Sequence, residues 1–162
     1  MGRYRPPQPK SSPYITRDGF EQLQAESKAL WEKRAKVTEA VTAAAAEGDR
    51  SENAEYIYRK KQLREIDRRI RYLQKRIPDL TIVDRHGKED QVFFGATVQL
   101  EEESGEELIV RIVGSDEIDP NKNYISVDSP LARAMIKKSV DDEATIEVLG
   151  KRTSYTIVSI QY

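Results

Sequence analysis

The sequence predicts an α+β protein: an N-terminal antiparallel α-helical coiled-coil hairpin, then a small antiparallel β-sheet domain with one short helix. Three observations predict it. Apolar residues recur at alternating steps of three and four over 17–46 and again over 51–77, the spacing of a coiled-coil seam. Gly48 separates the two runs, with so few residues around it that the chain must fold straight back. After Pro78 the apolar period falls to two, in segments rich in Val, Ile, Thr and Tyr.

Each element follows from local chemistry. Residues 1–15 carry four of the seven prolines together with Arg3, Arg5 and Lys10. Such a stretch cannot build a core, and it reads as a disordered basic tail. The hairpin is expected over 16–78. Thr16 is placed to cap its first helix, and Asp18 sits in the first turn, where the helix dipole favours an anion. The first seam is Phe20, Leu23, Ser27, Leu30, Arg34, Val37, Val41 and Ala44. It shrinks from Phe and Leu to Val and Ala toward the turn, so the hairpin narrows toward its end. Trp31, beside Leu30, is expected to pack at the hairpin base. Gly48 ends helix one. Helix two begins near Ser51, follows the seam Tyr56, Arg59, Leu63, Ile66, Ile70, Leu73 and Ile77, and stops at Pro78. The second domain, 79–162, reads as strands over 80–85, 92–100, 107–113, 124–128, 144–149 and 154–161. Its one short helix has Ser129 as cap and Pro130 at the first position.

Composition excludes several functions. The 162 residues contain no cysteine, which removes disulfides, thiolate metal sites and thiol nucleophiles. The one histidine, His86, excludes a multi-histidine metal site and reads as part of a surface turn. No apolar run approaches membrane-spanning length, and the start lacks the apolar segment of a signal peptide. A cytoplasmic protein with no membrane partner is expected. The net charge of −1 conceals an asymmetry: residues 59–76 carry nine basic side chains against Glu65 and Asp67, whereas 84–119 carry eleven acidic ones against three basic. A basic helix joined to an acidic domain suits orientation on a partner that contains a polyanion.

Two features carry chemistry. Asp49 and Glu52 lie three residues apart at the turn of the hairpin, far from any core. The spacing also reads as a capping box. Yet Ser51 is available as a cap, and Glu47 and Glu55 add more negative charge than capping needs. Two carboxylates make an incomplete Mg2+ site, because Mg2+ takes one or two carboxylates and fills its octahedron with phosphates and waters. Such a pair suits completion of a site on another molecule, where a second metal ion activates an attacking water. The second feature is a basic stripe, Lys60, Arg64, Arg68, Arg71 and Lys75, widened by Lys61. It reads either as a solvated face paired with helix one or as a track for phosphates. Tyr56 and Tyr58 stand near the tip, where a base could stack.

Four segments together resemble the Gre transcript-cleavage factors of bacteria: 48–56 (Gly-Asp-Arg-Ser-Glu-Asn-Ala-Glu-Tyr), 64–73 (Arg-Glu-Ile-Asp-Arg-Arg-Ile-Arg-Tyr-Leu), 93–96 (Phe-Phe-Gly-Ala) and 124–134 (Tyr-Ile-Ser-Val-Asp-Ser-Pro-Leu-Ala-Arg-Ala). The resemblance spans about residues 14–162 and implies a C-terminal domain similar to FKBP-type prolyl isomerases in fold, without their activity. It also implies a monomer that binds RNA polymerase at the rim of its secondary channel and inserts the hairpin. There Asp49 and Glu52 would assist a transient Mg2+ and water at the polymerase active centre, so that the polymerase cuts its own backtracked RNA. By the same resemblance Lys60, Lys61, Arg64 and Arg68 engage the extruded RNA 3′ end, and Asp128, Ser129 and Pro130 dock on the rim. The extended charge favours the branch of the family that tolerates longer backtracked RNA. Three rivals remain: a related channel occupant that inhibits without inducing cleavage, a coiled-coil nucleic-acid adaptor or chaperone, and a free-standing nuclease. Retention of both tip acids speaks against the first two, and the lack of a complete metal site against the third.

Overall fold

The computed structural model describes residues 6–49, 51–84 and 87–162. Arg50, Arg85, His86 and the first five residues, including Arg3 and Arg5, lie outside the described residues, and with them the expectation for His86 and the end of the expected strand 80–85. The chain forms two compact units, residues 18–80 and residues up to 17 together with 81–162.

The first unit is the helical hairpin. Helix α1 spans Arg17–Ala45 and α2 spans Ala54–Asp79, each about 40 Å long at 1.5 Å per residue. Their antiparallel pairing shows in the contacts between them. Ala44 meets Asn53, Arg34 meets Asp67 and Glu26 meets Arg69, so position rises on one helix as it falls on the other. Val37, Ile66 and Ile70 form a buried cluster, flanked by Leu30, Val41 and Leu63, all of them seam positions. At the polar break in the first seam, the Arg34 Nε donates to Asp67 at 2.6 Å. Arg69 grips Glu26 with two hydrogen bonds of 2.7 and 3.0 Å, the bidentate geometry that strengthens a guanidinium–carboxylate pair.

Pro78 does not stop α2, as expected, but lies inside its last turn. A proline there costs only one late hydrogen bond, and the helix closes one residue on through Leu80 N–H to the Ile77 carbonyl at 3.2 Å.

In the second unit five strands take the order β5-β4-β3-β7-β6. They are β3 (Thr97–Glu102), β4 (Glu107–Val113), β5 (Tyr124–Ser126), β6 (Glu143–Val148) and β7 (Lys151–Gln161). The sheet is antiparallel except at one edge, where β5 lies parallel to β4. Two short 3-10 turns link β4 to β5, which lets the chain cross over rather than hairpin back. A register shift at Gln99/Leu100 between β3 and β7 bends the sheet. Inward residues alternate as the period of two requires: Val98 and Leu100 on β3, Val110 and Ile112 on β4. With Ile157, Ala144 and the α3 (Pro130–Met135) residues Ala132 and Met135 they form the core. Residues 92–96, expected as strand, instead form turns before β3, with Gly95 at φ +87.

The expected tail of residues 1–15 needs correcting at its end. Tyr14–Ile15 is strand β1, parallel to β2 (Thr81–Ile82). Ile15 is fully buried, Thr81 N–H donates to the Pro13 carbonyl at 2.7 Å and Val83 N–H to the Ile15 carbonyl at 2.9 Å. Composition overlooked this because one buried isoleucine and a few backbone bonds suffice to fix a two-residue strand. The Glu117 carboxylate secures the same segment, accepting from Thr16 N–H at 3.0 Å and from the Thr16 hydroxyl. Ser12 is held too: its N–H donates to Asp128 at 2.8 Å and its hydroxyl donates to the same carboxylate.

Candidate functional site

The hairpin tip is organised by asparagine, not by the acids. Asn53 is the N-cap of α2, accepting from Tyr56 N–H at 3.0 Å. Its side-chain amide also donates to the Ala44 carbonyl of α1 at 2.7 Å. One side chain thus satisfies an orphan donor of one helix and ties itself to a terminal carbonyl of the other, which also accepts from Glu47 N–H at 3.2 Å. The sequence offered Ser51 as an available cap and Asp49 with Glu52 as a capping box. Asparagine's strong N-cap preference at the residue before α2 was the signal that could have corrected it.

With Asn53 in that role, Asp49 and Glu52 are not helix caps. Asp49 closes its own turn: Ser51 N–H donates to Oδ1 at 3.0 Å and the Ser51 hydroxyl to the same oxygen at 2.9 Å. This is the Asx-turn chemistry of aspartate. The backbone bond from Glu52 N–H to the Asp49 carbonyl at 3.2 Å brings the two acids into one turn. Both residues are exposed. Oδ2 of Asp49 and the Glu52 carboxylate have no partner among the described residues. Glu55, the third acid of the motif, is taken out of the set by Arg59 at 2.8 Å. Arg59 thus removes one carboxylate from the acidic cluster and leaves Asp49 Oδ2 and Glu52, like the exposed Glu47, without an ion-pair partner among the described residues. A hard, oxygen-seeking cation such as Mg2+ fits such a pair only if other groups complete its shell. Among the described residues no group of three or more possible ligands could hold a metal ion.

The two bonds from Ser51, the backbone N–H first and the hydroxyl second, hold the Asp49 carboxyl below the usual aspartate value. The sign follows: a depressed carboxylate stabilises the turn above the ordinary aspartate range, and that contribution is lost as pH falls through the lowered value. Titration of the Asp49 side chain by carbon-13 NMR should show a midpoint below that of free aspartate. Ser51→Ala should move it upward; an unmoved midpoint would mean the serine does not set it.

The basic residues of α2 divide by partner. Arg59 and Arg69 are ion-paired with Glu55 and Glu26. Lys60, Lys61, Arg64, Arg68, Arg71 and Lys75 are exposed and make no ion pair among the described residues. Asp67, which shares a groove wall with Arg64, Arg68 and Arg71, is engaged by Arg34. Pairing with helix one, the bland explanation of the stripe, is thus absent among the described residues. Tyr56 is half-buried beneath Lys60, whose Nζ lies 5.4 Å from the ring centroid, and Tyr58 is exposed.

Asp128, Ser129 and Pro130 open α3 in the second unit. Ser129 caps it by accepting from Ala132 N–H at 3.3 Å, and Pro130 takes the first helical position. Asp128 is half-buried and holds Ser12, while Pro130 is exposed. Trp31, expected to pack beside the hairpin base, is 47% exposed. None of the helices among the described residues is long and apolar enough to cross a membrane.

Comparison with known proteins accounts for both units. Residues 13–82 match the family described as "Transcription elongation factor, N-terminal", and residues 87–162 match "Transcription elongation factor, GreA/GreB, C-term". The "Transcription elongation factor GreB" of Pasteurella multocida (strain Pm70) is 62% identical over 138 residues, covering 84% of this chain and 87% of that protein. That of Xanthomonas axonopodis pv. citri (strain 306) is 53% identical over 165 residues, covering 100% and 98%. Among solved structures, Thermus aquaticus Gfh1 is 22% identical, covers 94% of this chain and 100% of its own, and has a TM-score of 0.44. With both units matched and relatives this similar along its length, the chain belongs to the Gre family of bacterial transcription elongation factors and stands close to its GreB members.

Proposed function

We propose that the chain is a cleavage-stimulating elongation factor. It binds bacterial RNA polymerase at the secondary channel as a monomer and helps the polymerase cut backtracked nascent RNA, rescuing arrested complexes. It is not an enzyme alone. The observation that carries this reading is the pair of exposed carboxylates at the hairpin tip, Asp49 through its open Oδ2 and Glu52, held in one turn while the neighbouring Glu55 is ion-paired. A Mg2+ ion held between these acids and the polymerase would supply a bound water of lowered pKa as nucleophile. Asp49 contributes its unpartnered Oδ2, while the two bonds from Ser51 to Oδ1 favour its ionised form. Glu52 contributes the second carboxylate and orients the attacking water. Asn53 holds the turn fixed to both helices, so that the acids arrive in a set geometry.

Behind the tip, Lys60, Lys61, Arg64 and Arg68 bind the extruded RNA through its phosphates. Their lack of ion-pair partners supports this, since a guanidinium already bound to a carboxylate is a poorer phosphate ligand. Asp128, Ser129 and Pro130 dock on the channel rim, with Ser12 fixing the Asp128 side chain. The bacterial cytoplasm is where this partner works.

The test is transcript cleavage on halted, backtracked polymerase with and without the protein. Acceleration is expected, and none would favour a channel occupant that inhibits. Lys60→Ala with Arg64→Ala should weaken action on long extruded RNA more than on short. It should also shrink the slope of log affinity against log salt by about 1–2, for two lost phosphate contacts. A slope equal to wild type would remove the phosphate track.

A further inference from the structure

A groove crosses the hairpin well behind the tip, and its chemistry differs from that of a simple basic stripe. Its cavity is about 510 Å3, lined by Trp31 of α1 and by Arg64, Arg68, Arg71 and Gln74 of α2, with Ile70 below. The one carboxylate in its wall, Asp67, is occupied by Arg34. Arg34 in turn lies 5.9 Å from the centroid of the indole. The indole therefore has a fixed neighbour, yet Trp31 remains 47% exposed. The three arginines have no ion-pair partner among the described residues.

A flat exposed indole beside three unpaired guanidinium groups matches the two demands of single-stranded nucleic acid. The phosphates need cations, and an unstacked base needs a π surface. An acidic protein segment would use the arginines and leave the indole idle. A buried apolar contact would use the indole and leave the arginines unpaired. We propose that this groove is a base-stacking site for single-stranded RNA, with Trp31 as the platform and Arg68 and Arg71 holding the flanking phosphates. The proposal rests on the reading that extruded RNA runs along the hairpin, and it extends that path onto α1. Arg71 stands 11 residues beyond Lys60 on α2, about 16 Å further from the tip. Only longer extruded RNA reaches it, so the groove favours long backtracks over short ones.

Trp31 is the only tryptophan, so its emission reports on the groove directly. The full chain is titrated at low salt with a short single-stranded RNA and, separately, with inorganic polyphosphate of matched charge. RNA should quench the tryptophan saturably, whereas polyphosphate should leave emission nearly unchanged while competing for the RNA. By fluorescence anisotropy of labelled RNA, Trp31→Ala should weaken binding about tenfold. Trp31→Phe, which keeps a ring, should restore most of that loss. Equal quenching by polyphosphate would show an anion groove without stacking and overturn the proposal. So would RNA affinity unchanged in Trp31→Ala, or stronger quenching by an acidic peptide than by RNA. Lys60→Ala with Arg64→Ala separates this from the parent reading: weaker RNA binding there with Trp31→Ala at wild-type affinity sinks the stacking site alone. If neither variant alters RNA binding or cleavage of long backtracks, both fall.

Discussion

Asp49→Asn is expected to abolish stimulated RNA cleavage while polymerase binding persists. The choice of asparagine matters. Asp49 does two things: its Oδ1 accepts two bonds from Ser51 to close the tip turn, and its Oδ2 is free. Asparagine keeps a carbonyl oxygen for the turn and removes only the charge and the second anionic oxygen. Alanine removes both. If the turn geometry were what mattered, Asp49→Asn would work and Asp49→Ala would fail. If the carboxylate is a metal ligand, both fail alike. The loss should be about 100-fold or more, because removing even the outer-shell partner of a metal ligand costs about 10- to 100-fold. Folding should be unaffected, since the residue is exposed and the helices are joined through Asn53. Two measurements separate the effects: cleavage rate on a halted complex at saturating protein, and binding by competition with the wild type. Binding retained with cleavage gone is the expected pair. Full cleavage by Asp49→Asn would remove the catalytic role of the tip.

How much was legible in the sequence differed by the range of the interactions involved. The hairpin was legible because heptad spacing is a local, repeated signal: Val37, Ile66 and Ile70 were seam residues and are buried in contact. The free acids were legible in type and place. Their freedom was not, because it depends on Asn53 taking the cap and on Arg59 taking Glu55, both choices among competing neighbours. The unpaired state of Arg64 and Arg68 depends likewise on Arg34 reaching Asp67 from the other helix. The N-terminal strand escaped notice because its partners, Thr81 and Glu117, lie 67 and 101 positions away from Tyr14 and Thr16. The prolines among residues 6–13 read as a tail and hid a two-residue strand just behind them. The parallel placement of β5 was equally invisible, since a strand's composition does not state its direction. The groove of Trp31 required both helices at once; in sequence the tryptophan was only an apolar residue beside the seam.

Gly114→Ala should release that N-terminal strand. The glycine is not there for its backbone angle: φ is −73, open to any residue. It is there for space. A Cβ at this position would lie 2.0 Å from the Tyr14 carbonyl oxygen and 3.1 Å from the Tyr14 carbonyl carbon and the Glu117 carboxylate. The nearest obstacle is backbone, which cannot rotate away, so β1 or the 114–117 turn must move. Both are tied to one group. Glu117 accepts from Gly114 N–H at 2.8 Å and from Thr16 at 3.0 Å, and displacing either side breaks the arrangement. Loss of β1 exposes Ile15, worth about 1.5–3 kcal/mol of burial, while overpacking at such a contact costs about 1–3 kcal/mol. These are alternative routes of relief, so the net expectation is about 2–3 kcal/mol. At about 4–8 °C per kcal/mol for a unit of about 100 residues, the transition of the sheet unit should fall by about 10–20 °C. Limited trypsin digestion gives the local readout, with faster cleavage after exposed Arg17. Gly87→Ala is the control, because its Cβ would meet nothing within 4 Å and its backbone is unstrained; it should behave as wild type. Release of β1 also withdraws Ser12 from Asp128. On the docking reading, Gly114→Ala should therefore weaken polymerase binding while leaving the hairpin tip chemically intact. Cleavage restored at high protein concentration would show that order of causes, and a melting point and digestion rate equal to those of Gly87→Ala would show that the close approach does not hold the strand.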